Sequence, residues 1–441
     1  MYKLKYKVLD ILLVAIILIS LSGIASAIDV TECGTLNTTD GIYNLIQNVS
    51  SLGTCFVIEA HNITIDGHGY TINYSQTVDI YGFGINNQGY DNITIINLSI
   101  EPYGESNTDG GIELYNSNDC IIQNVHVLMI EGIGIYLETT TNTSILNSTV
   151  YSKNSWGVGL YLSNDNIIEN TTMQSDSDCG IGIYASNNNK ILNSVGISDI
   201  GCGVDFAYSP VNNTFIGGSY SSSGYDYFLV TAGDTNYFRN TNFTAQRKIH
   251  FYDTTSWFNY NDEPNGNIWL KNNVSSAATI NRTLLNWSQL KMKWIDSGVA
   301  VTSYYILTGI YPNTVYNVYI NSIDSYELTT DNDGELPMFS VEFNSDMEIE
   351  VFTSSPPTPT VTASTVGSIA QQNIAYKTYQ GLSIASILGF ILIAMMIVSI
   401  LIGAMSGVIN GKVAIFSIIT VVVFGILIVI FIIINDAIVN I

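Results

Sequence analysis

The chain has 441 residues and a formal net charge of −23, with 14 lysine and arginine residues against 37 aspartate and glutamate residues. A chain this acidic is poorly suited to follow a phosphate backbone, because nucleic-acid binding depends on clustered cations. Only 12% of the residues are charged. The composition therefore argues against a nucleic-acid partner and predicts a polar surface built from amides and hydroxyls.

Residues 1–27 have the features of a secretory signal. Lys3, Lys5 and Lys7 form a basic head, an apolar run follows, and Ala25 to Ala27 supply a small-residue cleavage site. The alternative is an uncleaved anchor, but the apolar run is short for that purpose. We therefore predict cleavage and export.

Residues 28–62 form a predicted N-terminal capping segment, ahead of a first coil that contains Ile63 to Ile72. Cys33 and Cys55 lie in this segment. Export to an oxidising compartment permits a disulfide, and closing a loop of about twenty residues would stabilise the fold by roughly 3 kcal/mol. Two free thiols are the alternative, and we predict the disulfide.

One pattern organises residues 63–270. An asparagine that follows two mostly hydrophobic residues returns at a nearly fixed spacing, and the step from Asn124 to Asn147 is 23 residues. This asparagine ladder consists of Asn97, Asn124, Asn147, Asn170, Asn193 and Asn240, with Gly217 in the missing place. A fixed period in the low twenties, with β-branched residues and no helical spacing, predicts a solenoid. Leucine-rich repeats share the period, but their leucine-dense pattern is absent.

A second column of glycines accompanies the ladder. It appears in the segments 132–136, 157–161, 180–184 and 201–205, each with the pattern Gly-x-Gly-x-Tyr or Gly-x-Gly-x-Asp. Together the columns predict a parallel β-helix, in which each strand stacks about 4.8 Å from its equivalent. Aliphatic side chains would fill the bore. Each ladder asparagine would lie at a bend and bond to the backbone and to the next asparagine.

Residues 55–270 resemble the right-handed parallel β-helix repeat family, the broad group that includes pectate-lyase-like proteins and the NosD-like proteins of copper-enzyme maturation. The resemblance implies an all-β fold, a right-handed single-stranded parallel β-helix. It implies no single function, because this scaffold carries lyases, hydrolases, adhesins and spikes.

Two further cysteines, Cys179 and Cys202, are 23 residues apart and each directly precedes a glycine. They should occupy the same place on adjacent coils, with Cα atoms about 4.8 Å apart, which a disulfide permits. A disulfide and a pair of stacked free thiols are both consistent with this spacing. Cys120 is predicted to be a small buried side chain.

Alternating hydrophobic runs in residues 283–352 are separated by turn signals at Pro312 and Asp331. They predict a small antiparallel β-sandwich, which resembles the Ig-like modules found near the base of surface proteins. Residues 353–380 are predicted to form an extended linker, since their first part is rich in proline and threonine.

Two hydrophobic stretches, residues 382–405 and 413–434, each exceed the ~20 residues needed to cross a bilayer. They are predicted to form a two-helix transmembrane hairpin. The short loop contains Lys412, which fits a cytoplasmic position under the positive-inside rule. The sequence therefore predicts a multi-pass protein of the cell membrane with an extracellular ectodomain.

Paired carboxylates would be needed for glycoside hydrolysis. Asp176, Asp178 and Asp199 lie near one turn of neighbouring coils, and Asp205 lies on the following strand. They are the candidate catalytic residues, with solvated acidic turns or a calcium site as the alternatives. The segment Asp331 to Glu335 echoes a calcium loop but lacks the distant glutamate, so a hairpin turn explains it better. No cofactor is expected apart from structural calcium.

Aromatic residues recur along consecutive coils and would form a sugar-stacking platform if they face outward, or core stacks if they face inward. They are Tyr151, Trp156, Tyr161, Tyr184, Tyr208, Tyr220, Tyr225 and Tyr227. Copper handling would require clustered histidine, methionine or cysteine. The four histidines are not clustered as such a site requires, so the NosD-like resemblance implies a fold without evident ligands.

Asn-X-Ser/Thr sequons recur along the chain and predict a glycoprotein if the source glycosylates. Asn97, Asn147 and Asn170 are predicted to be poor acceptors, because ladder positions could lie in the bore.

These features predict a membrane-anchored extracellular β-helix surface protein with a structural or adhesive, glycan-binding role in the cell envelope. The combination resembles envelope proteins of methanogenic archaea, and the expected partners are glycans or neighbouring envelope proteins. Two alternatives stay open: a membrane-tethered polysaccharide lyase or glycoside hydrolase, and a NosD-like copper-maturation factor. The sequence shows no convincing catalytic constellation, which favours a non-enzymatic role.

Overall fold

The computed structural model describes residues 27–75, 82–102, 110–262 and 267–354. This part of the chain forms strands, turns and bends. The predicted linker after Ser354 and both predicted membrane spans lie outside the described residues, as does the predicted signal except for Ala27, which begins the first strand. Within the described ranges no helix is long and apolar enough to cross a membrane.

The parallel strands of the solenoid come first in the chain. In order they are β1 (Ala27–Val30), β2 (Gly34–Leu36), β3 (Ile42–Leu45), β4 (Val49–Ser50), β5 (Phe56–Ile58), β6 (Thr64–Asp66), β7 (Thr71–Tyr74), β8 (Phe83–Gln88), β9 (Thr94–Pro102), β10 (Gly110–Tyr115), β11 (Ile121–Met129), β12 (Ile133–Glu138), β13 (Ser144–Leu146), β14 (Thr149–Ser152), β15 (Val158–Tyr161), β16 (Ile167–Glu169), β17 (Thr172–Ser175), β18 (Ile181–Tyr184), β19 (Lys190–Leu192), β20 (Val195–Ser198), β21 (Cys202–Ala207), β22 (Thr214–Ile216), β23 (Ser219–Ser222), β24 (Tyr225–Leu229), β25 (Tyr237–Arg239), β26 (Arg247–Phe251) and β27 (Phe258–Asn261).

One regular turn consists of β13, β14 and β15. The first two belong to one sheet, which we call sheet 1, and the third belongs to the other, sheet 2. Each strand pairs in parallel with its equivalent one turn later, so β13 pairs with β16, β14 with β17 and β15 with β18. The predicted parallel β-helix is therefore confirmed.

The ladder asparagines bend the chain between the two strands of sheet 1. Asn147 and Asn170 have positive φ angles of 50° and 51°, and Gly217 takes the equivalent place with 66°. Glycine and asparagine tolerate this left-handed conformation best, which explains why asparagine occupies the ladder and glycine can replace it at Gly217. The side-chain amide of Asn170 donates to Oδ1 of Asn147 at 3.3 Å.

This ladder lies on the outside of the solenoid. Asn147 and Asn170 are exposed and Asn97 is half-buried, so none of them lies in the bore. The reason given for treating them as poor glycan acceptors was therefore wrong.

A second asparagine row, which the sequence analysis missed, lies inside. The N–H of Asn166 donates to Oδ1 of Asn189 at 2.9 Å, the N–H of Asn189 to Oδ1 of Asn213 at 3.0 Å, and the N–H of Asn213 to Oδ1 of Asn236 at 3.0 Å. All four side chains are buried. They accept from backbone groups that a closed corner would otherwise leave without partners.

Apart from the inner asparagine row, the bore is lined mainly by apolar side chains. One inward column of sheet 2 is aliphatic and fully buried, and in the later turns aromatic rings take over. Phe206, Phe215, Phe238 and Tyr227 contact one another there, with Phe215 and Phe238 stacked at 4.9 Å. Burying each such side chain contributes roughly 1.5–3 kcal/mol.

The solenoid begins earlier than predicted. β1 pairs in parallel with β3, and β2 pairs with β5, so residues 28–62 contain the first turns and are not a separate cap. The Cys33–Cys55 disulfide is present and joins these neighbouring turns, with Cα atoms 4.7 Å apart. Cys179 and Cys202 also form a disulfide, across 4.3 Å. Cys120 is buried and free, as predicted.

Antiparallel strands follow the solenoid. They are β28 (Trp269–Val274), β29 (Ala278–Trp287), β30 (Lys291–Gly298), β31 (Thr302–Thr308), β32 (Val315–Ile320), β33 (Ile323–Thr329), β34 (Phe339–Glu342) and β35 (Met347–Phe352).

These strands do not form a module of their own. β28 pairs with β27 in sheet 1, and β29 pairs with β26 in sheet 2, so both sheets continue directly from the last turn. The predicted antiparallel pairing is present, but the expectation of a separate Ig-like sandwich is not met. The reason is that the edge strands of the last turn are open and accept new partners. A buried ion pair, Arg282 with Asp296 at 2.6 Å, lies in this extension.

Candidate functional site

Sheet 2 presents two outward rows of side chains, set by the register of its strands. The first row reads Tyr136, Gly159, Gly182, Asp205, Phe228 and His250. The second row contains Glu138, Tyr161, Tyr184 and Ala207. We call the part of these rows from β12 to β21, with Trp156, Asp178 and Tyr208, the sheet 2 face.

The register corrects the alignment of the glycine motifs. Gly182 pairs with Asp205, and Tyr184 pairs with Ala207, so the last motif is displaced by two residues from the place that its pattern predicted. The first motif is displaced in the same way, because Tyr136 pairs with Gly159. Asp205 therefore occupies a glycine position.

The Trp156 indole lies over two glycines of the first row. A β-carbon built at Gly182 would lie 2.8 Å from Cδ2 of Trp156, and one built at Gly159 would lie 2.8 Å from Cε3. Only glycine leaves room for a ring this close to the strands. The glycines of the repeated Gly-x-Gly pattern thus form the flat surface against which the indole of Trp156 packs.

Tyrosines extend this aromatic surface. Trp156 and Tyr184 meet edge to face with ring centroids 4.5 Å apart, and Tyr184 meets Tyr208 at 5.5 Å. Tyr208 is 68% exposed, whereas Trp156 and Tyr184 are half-buried. The result is a ridge of rings that is fixed on one side and open to solvent on the other.

Two carboxylates hold these rings. Asp178 Oδ1 accepts from Nε1 of Trp156 at 3.0 Å and from the N–H of Cys179 at 2.9 Å. Asp205 Oδ2 accepts from the hydroxyl of Tyr184 at 2.6 Å, while Oδ1 is buried and has no hydrogen-bond partner among the described residues.

The electrostatics of this pair follow from burial. Asp205 is 6% exposed. Burial raises the pKa of Asp205 to about 7, against an opposing effect from the Tyr184 hydroxyl and with a smaller raising effect from the charge of Asp178. Burial also raises the pKa of Asp178. Asp205 therefore carries a proton over part of the pH range in which most carboxylates are ionised.

The four candidate aspartates separate into two groups. Asp178 and Asp205 interact with each other beneath the rings. Asp176 instead accepts a hydrogen bond from the hydroxyl of Tyr151 at 2.7 Å. The charge of the exposed Asp199 also raises the pKa of this tyrosine. Burial, followed by Asp176, raises the pKa of Tyr151 to about 12. The structure does not bring all four into one acidic patch.

The acidic residues make a poor cation site. The described residues contain one close set of three ligand-type side chains, Cys179, Cys202 and Asp205, and its two sulfurs are bonded to each other. Asp178 Oδ1 already accepts two hydrogen bonds. Calcium requires several ionised or carbonyl oxygens turned toward one point, which this arrangement does not offer.

The predicted calcium-like loop is a turn. Asp331 Oδ1 accepts from the N–H groups of Asp333 and Glu335 at 2.9 and 2.8 Å. The carboxylate thus holds the backbone of the hairpin connection, as expected for a turn.

The remaining predicted aromatics divide between the two sides of the wall. Tyr220 and Tyr227 are fully buried in the bore, whereas Tyr161 and Tyr225 lie half-buried on the outside of sheet 2. A polar pocket of about 390 Å³ lies elsewhere, at a corner of the turns. It is lined by Asp165, Asn166, Ile167, Asn188, Lys190 and Asn212. It contains no aromatic ring, so the sheet 2 face is the better candidate for a binding site.

A protein-family model described as the right handed beta helix region matches residues 26–194. The solenoid is a right-handed β-helix. A search of curated proteins gives no match.

Several solved structures are similar to the chain at low identity. The Dettilon tailspike protein gp208 is 11% identical, covers 74% of this chain and 86% of its own, and has a TM-score of 0.36. The tailspike protein of E. coli bacteriophage HK620, solved with a pentasaccharide, is 9% identical, covers 74% and 83%, and has a TM-score of 0.27. The A-module of the Azotobacter vinelandii mannuronan C-5 epimerase AlgE6 is 13% identical, covers 46% and 82%, and has a TM-score of 0.24. Similarity of this degree transfers neither residues nor ligands to this chain.

Proposed function

We propose that this protein is a membrane-anchored, extracellular β-helix surface protein that binds neutral glycans on the sheet 2 face. One observation carries the proposal. The ring of Trp156 lies over Gly159 and Gly182, meets Tyr184 edge to face, and is held by the carboxylate of Asp178.

This combination suits the chemistry of a sugar. Aromatic faces pack against the apolar C–H faces of a pyranose, while carboxylates accept hydrogen bonds from its hydroxyl groups. Tyr208 offers an exposed ring, and Tyr136, Tyr161 and Tyr184 add phenolic hydroxyls to the same surface. Fixed side chains lose little conformational freedom when a ligand binds, which favours affinity.

Charge favours neutral over acidic glycans. In the described strands β12 to β21, the two outward rows contain Glu138 and Asp205 and no lysine or arginine, and Asp178 lies beside them. A uronate carboxylate would meet like charges there without a cation to balance it. An anionic polysaccharide is therefore a poor ligand for this face.

The cellular location rests on the sequence. The signal at residues 1–27 and the hydrophobic stretches 382–405 and 413–434 favour a β-helix that lies outside the membrane and is anchored to it. A test is protease treatment of intact cells, which should digest the β-helix and leave the membrane hairpin protected. Protection of the β-helix in intact cells would contradict this topology.

Glycan binding is tested by presenting the full-length protein, in detergent, to an array of neutral and acidic glycans. We expect binding to neutral glycans, and we expect the variant Trp156→Ala to weaken it by about tenfold or more. The reason is that a sugar ring stacked on an aromatic face contributes on the order of 1 kcal/mol to the binding free energy. Trp257→Ala serves as the control, because Trp257 is half-buried between β26 and β27. Absence of binding across the array, or equal binding by both variants, would contradict the proposal.

A membrane-tethered glycoside hydrolase is the second candidate, because one carboxylic acid kept protonated beside another carboxylate is the arrangement that these enzymes use. Asp205 has a pKa raised to about 7 and interacts with Asp178. Asp205 is buried beneath Tyr184, which hinders direct contact between its carboxyl group and a substrate. This favours glycan binding over hydrolysis as the first candidate. New reducing ends from array-positive glycans, abolished by Asp178→Asn, would favour this function over binding alone.

A copper-maturation role gains no support from the described residues. His61 contacts Tyr90 and Asp91, His68 lies beside Asp66, and His250 packs against Tyr225 and Phe228. The two cysteines nearest to a third ligand-type residue form a disulfide.

A further inference from the structure

The outer surface of sheet 2 carries a second aromatic group, beyond the sheet 2 face and further along the β-helix axis. Tyr225, Phe228, His250 and Tyr252 belong to it, and we call it the distal cluster. It continues the same outward rows, because Asp205 pairs with Phe228 and Phe228 pairs with His250. Tyr252 follows the paired Phe251 and therefore extends the row of Tyr184 and Ala207.

His250 is the centre of the distal cluster. Its ring stacks on Tyr225 at 4.4 Å and on Phe228 at 4.9 Å, with interplanar angles of 27° and 16°. Nδ1 shares a hydrogen bond with Oγ1 of Thr279 at 2.9 Å, and Nε2 has no hydrogen bond to any described residue. Burial lowers the pKa of His250, which keeps the ring neutral at physiological pH.

Tyr252 forms the exposed side of the cluster. Its ring is 60% exposed and lies 6.1 Å from Phe228 and 6.5 Å from His250. The cluster therefore resembles the sheet 2 face in its construction, with fixed inner rings, one open ring and one polar atom free to bond.

Along the second row, the two groups are separated by side chains without aromatic rings. Ala207 and Val230 separate Tyr184 from Tyr252 in the second row, and both are small or compact side chains. Three inter-strand steps of about 4.8 Å give a separation of about 14 Å along the axis. The two ring clusters thus lie on one face, and small or compact side chains of the second row connect them.

We propose that the distal cluster is a second glycan subsite, so that a linear neutral oligosaccharide lies along sheet 2, parallel to the β-helix axis. This inference rests on the proposed glycan binding. It adds the orientation of the bound oligosaccharide and the chain length needed to contact both clusters. Two ring clusters on one face increase the affinity for a ligand only if the ligand is long enough to contact both. Nε2 of His250 would form a hydrogen bond with a sugar hydroxyl, as donor or acceptor according to the tautomer. The ring of Tyr252 would stack on a sugar ring.

The test measures affinity against chain length by calorimetry, with the full-length protein in detergent. The probes are cello- and manno-oligosaccharides from disaccharide to octasaccharide, together with size-fractionated fragments of the polysaccharide that binds best on the array. We expect affinity to rise with length and Tyr252→Ala to lower it about tenfold for the longest oligomers, which corresponds to about 1.4 kcal/mol. The same variant should leave disaccharide binding unchanged.

Tyr115→Ala is the matched control, because Tyr115 is an exposed tyrosine of the second row at the opposite end, 44% exposed on β10. His250→Ala should reproduce the effect of Tyr252→Ala. Short oligomers that bind through Trp156 with no added affinity from length would overturn the second subsite and leave the proposed function intact. A loss at Tyr115 in place of Tyr252 would overturn it also, since the ligand would run the other way. No binding at any length would refute both proposals.

Discussion

Replacing Asp205 by asparagine removes one titrating proton and keeps the shape of the side chain. The amide oxygen of the new side chain would still accept from the hydroxyl of Tyr184, as the carboxylate of Asp205 does at 2.6 Å. The expected effect is on stability. Burial raises the pKa of Asp205 from 3.8 to about 7 in the folded protein, whereas the unfolded chain keeps the ordinary value.

The sign follows from proton uptake. Between pH 4 and pH 7 the folded state holds the Asp205 proton and the unfolded state has lost it, so the free energy of unfolding falls as the pH rises. A pKa that rises from 3.8 to about 7 corresponds to ~4 kcal/mol, lost across this window and fully absent above about pH 7. Asp205→Asn should therefore be about as stable as the parent at pH 4 and more stable by up to ~4 kcal/mol at pH 8.

The assay is urea unfolding followed by tryptophan fluorescence at several pH values from about 4 to about 8, the window that the raised pKa defines. Asp199→Asn is the control, because Asp199 is exposed and belongs to the same turn, between β20 and β21. Its difference from the parent should stay within about 0.5 kcal/mol at every pH. If the gap between Asp205→Asn and the parent is the same at both ends of the window, Asp205 is not a buried acid and the electrostatic account of the site fails.

Three further changes test other parts of the structure. Asn213→Ala leaves buried N–H groups of the inner asparagine row without an acceptor and should lower the free energy of unfolding by about 2–4 kcal/mol in urea. Gly182→Ala places a methyl group against Trp156, so it should weaken glycan binding about tenfold while the circular dichroism spectrum stays unchanged. Joint replacement of Cys179 and Cys202 by serine opens the disulfide and should lower stability by about 3 kcal/mol, measured by thermal unfolding.

The period of the solenoid could be predicted because the same geometry repeats at every turn. Each ladder position needs a left-handed residue, so Asn147, Asn170 and Gly217 mark the bend whatever surrounds them. The inner asparagine row was equally readable, since Asn189, Asn213 and Asn236 keep nearly the same spacing. It was missed because asparagine is common along this chain and burial is not visible in composition.

The glycine register was harder to predict for a geometric reason. A Gly-x-Gly pattern repeats its own glycine after two residues, so it can slide by two positions without losing its match. The strands pair Gly134 with Gly157 by backbone register, whereas motif matching paired Gly132 with Gly157. Side chains that lie two residues apart share a face, so the error kept the correct face and misplaced Asp205 along it.

The antiparallel extension was misjudged because pairing partners are not local. Alternation in residues 283–352 predicts strands, but it does not say which edge they join. β26 and β27 end the parallel turns with open edges, and β28 and β29 cover them. Covering an exposed edge prevents further strand addition, which any solenoid must arrange at its ends.

The position of the candidate site follows from where the repeat is broken. A regular row of sheet 2 would continue Gly159 and Gly182 with a third glycine, and Asp205 stands there instead. The two glycines admit the Trp156 ring, and the carboxylate beside them holds Tyr184. The Cys179–Cys202 disulfide ties the turn of Gly182 and Tyr184 to the turn of Asp205. A buried acid in a glycine position lowers stability above about pH 7. The same residue therefore serves both as the test of the electrostatics and as the marker of the proposed site.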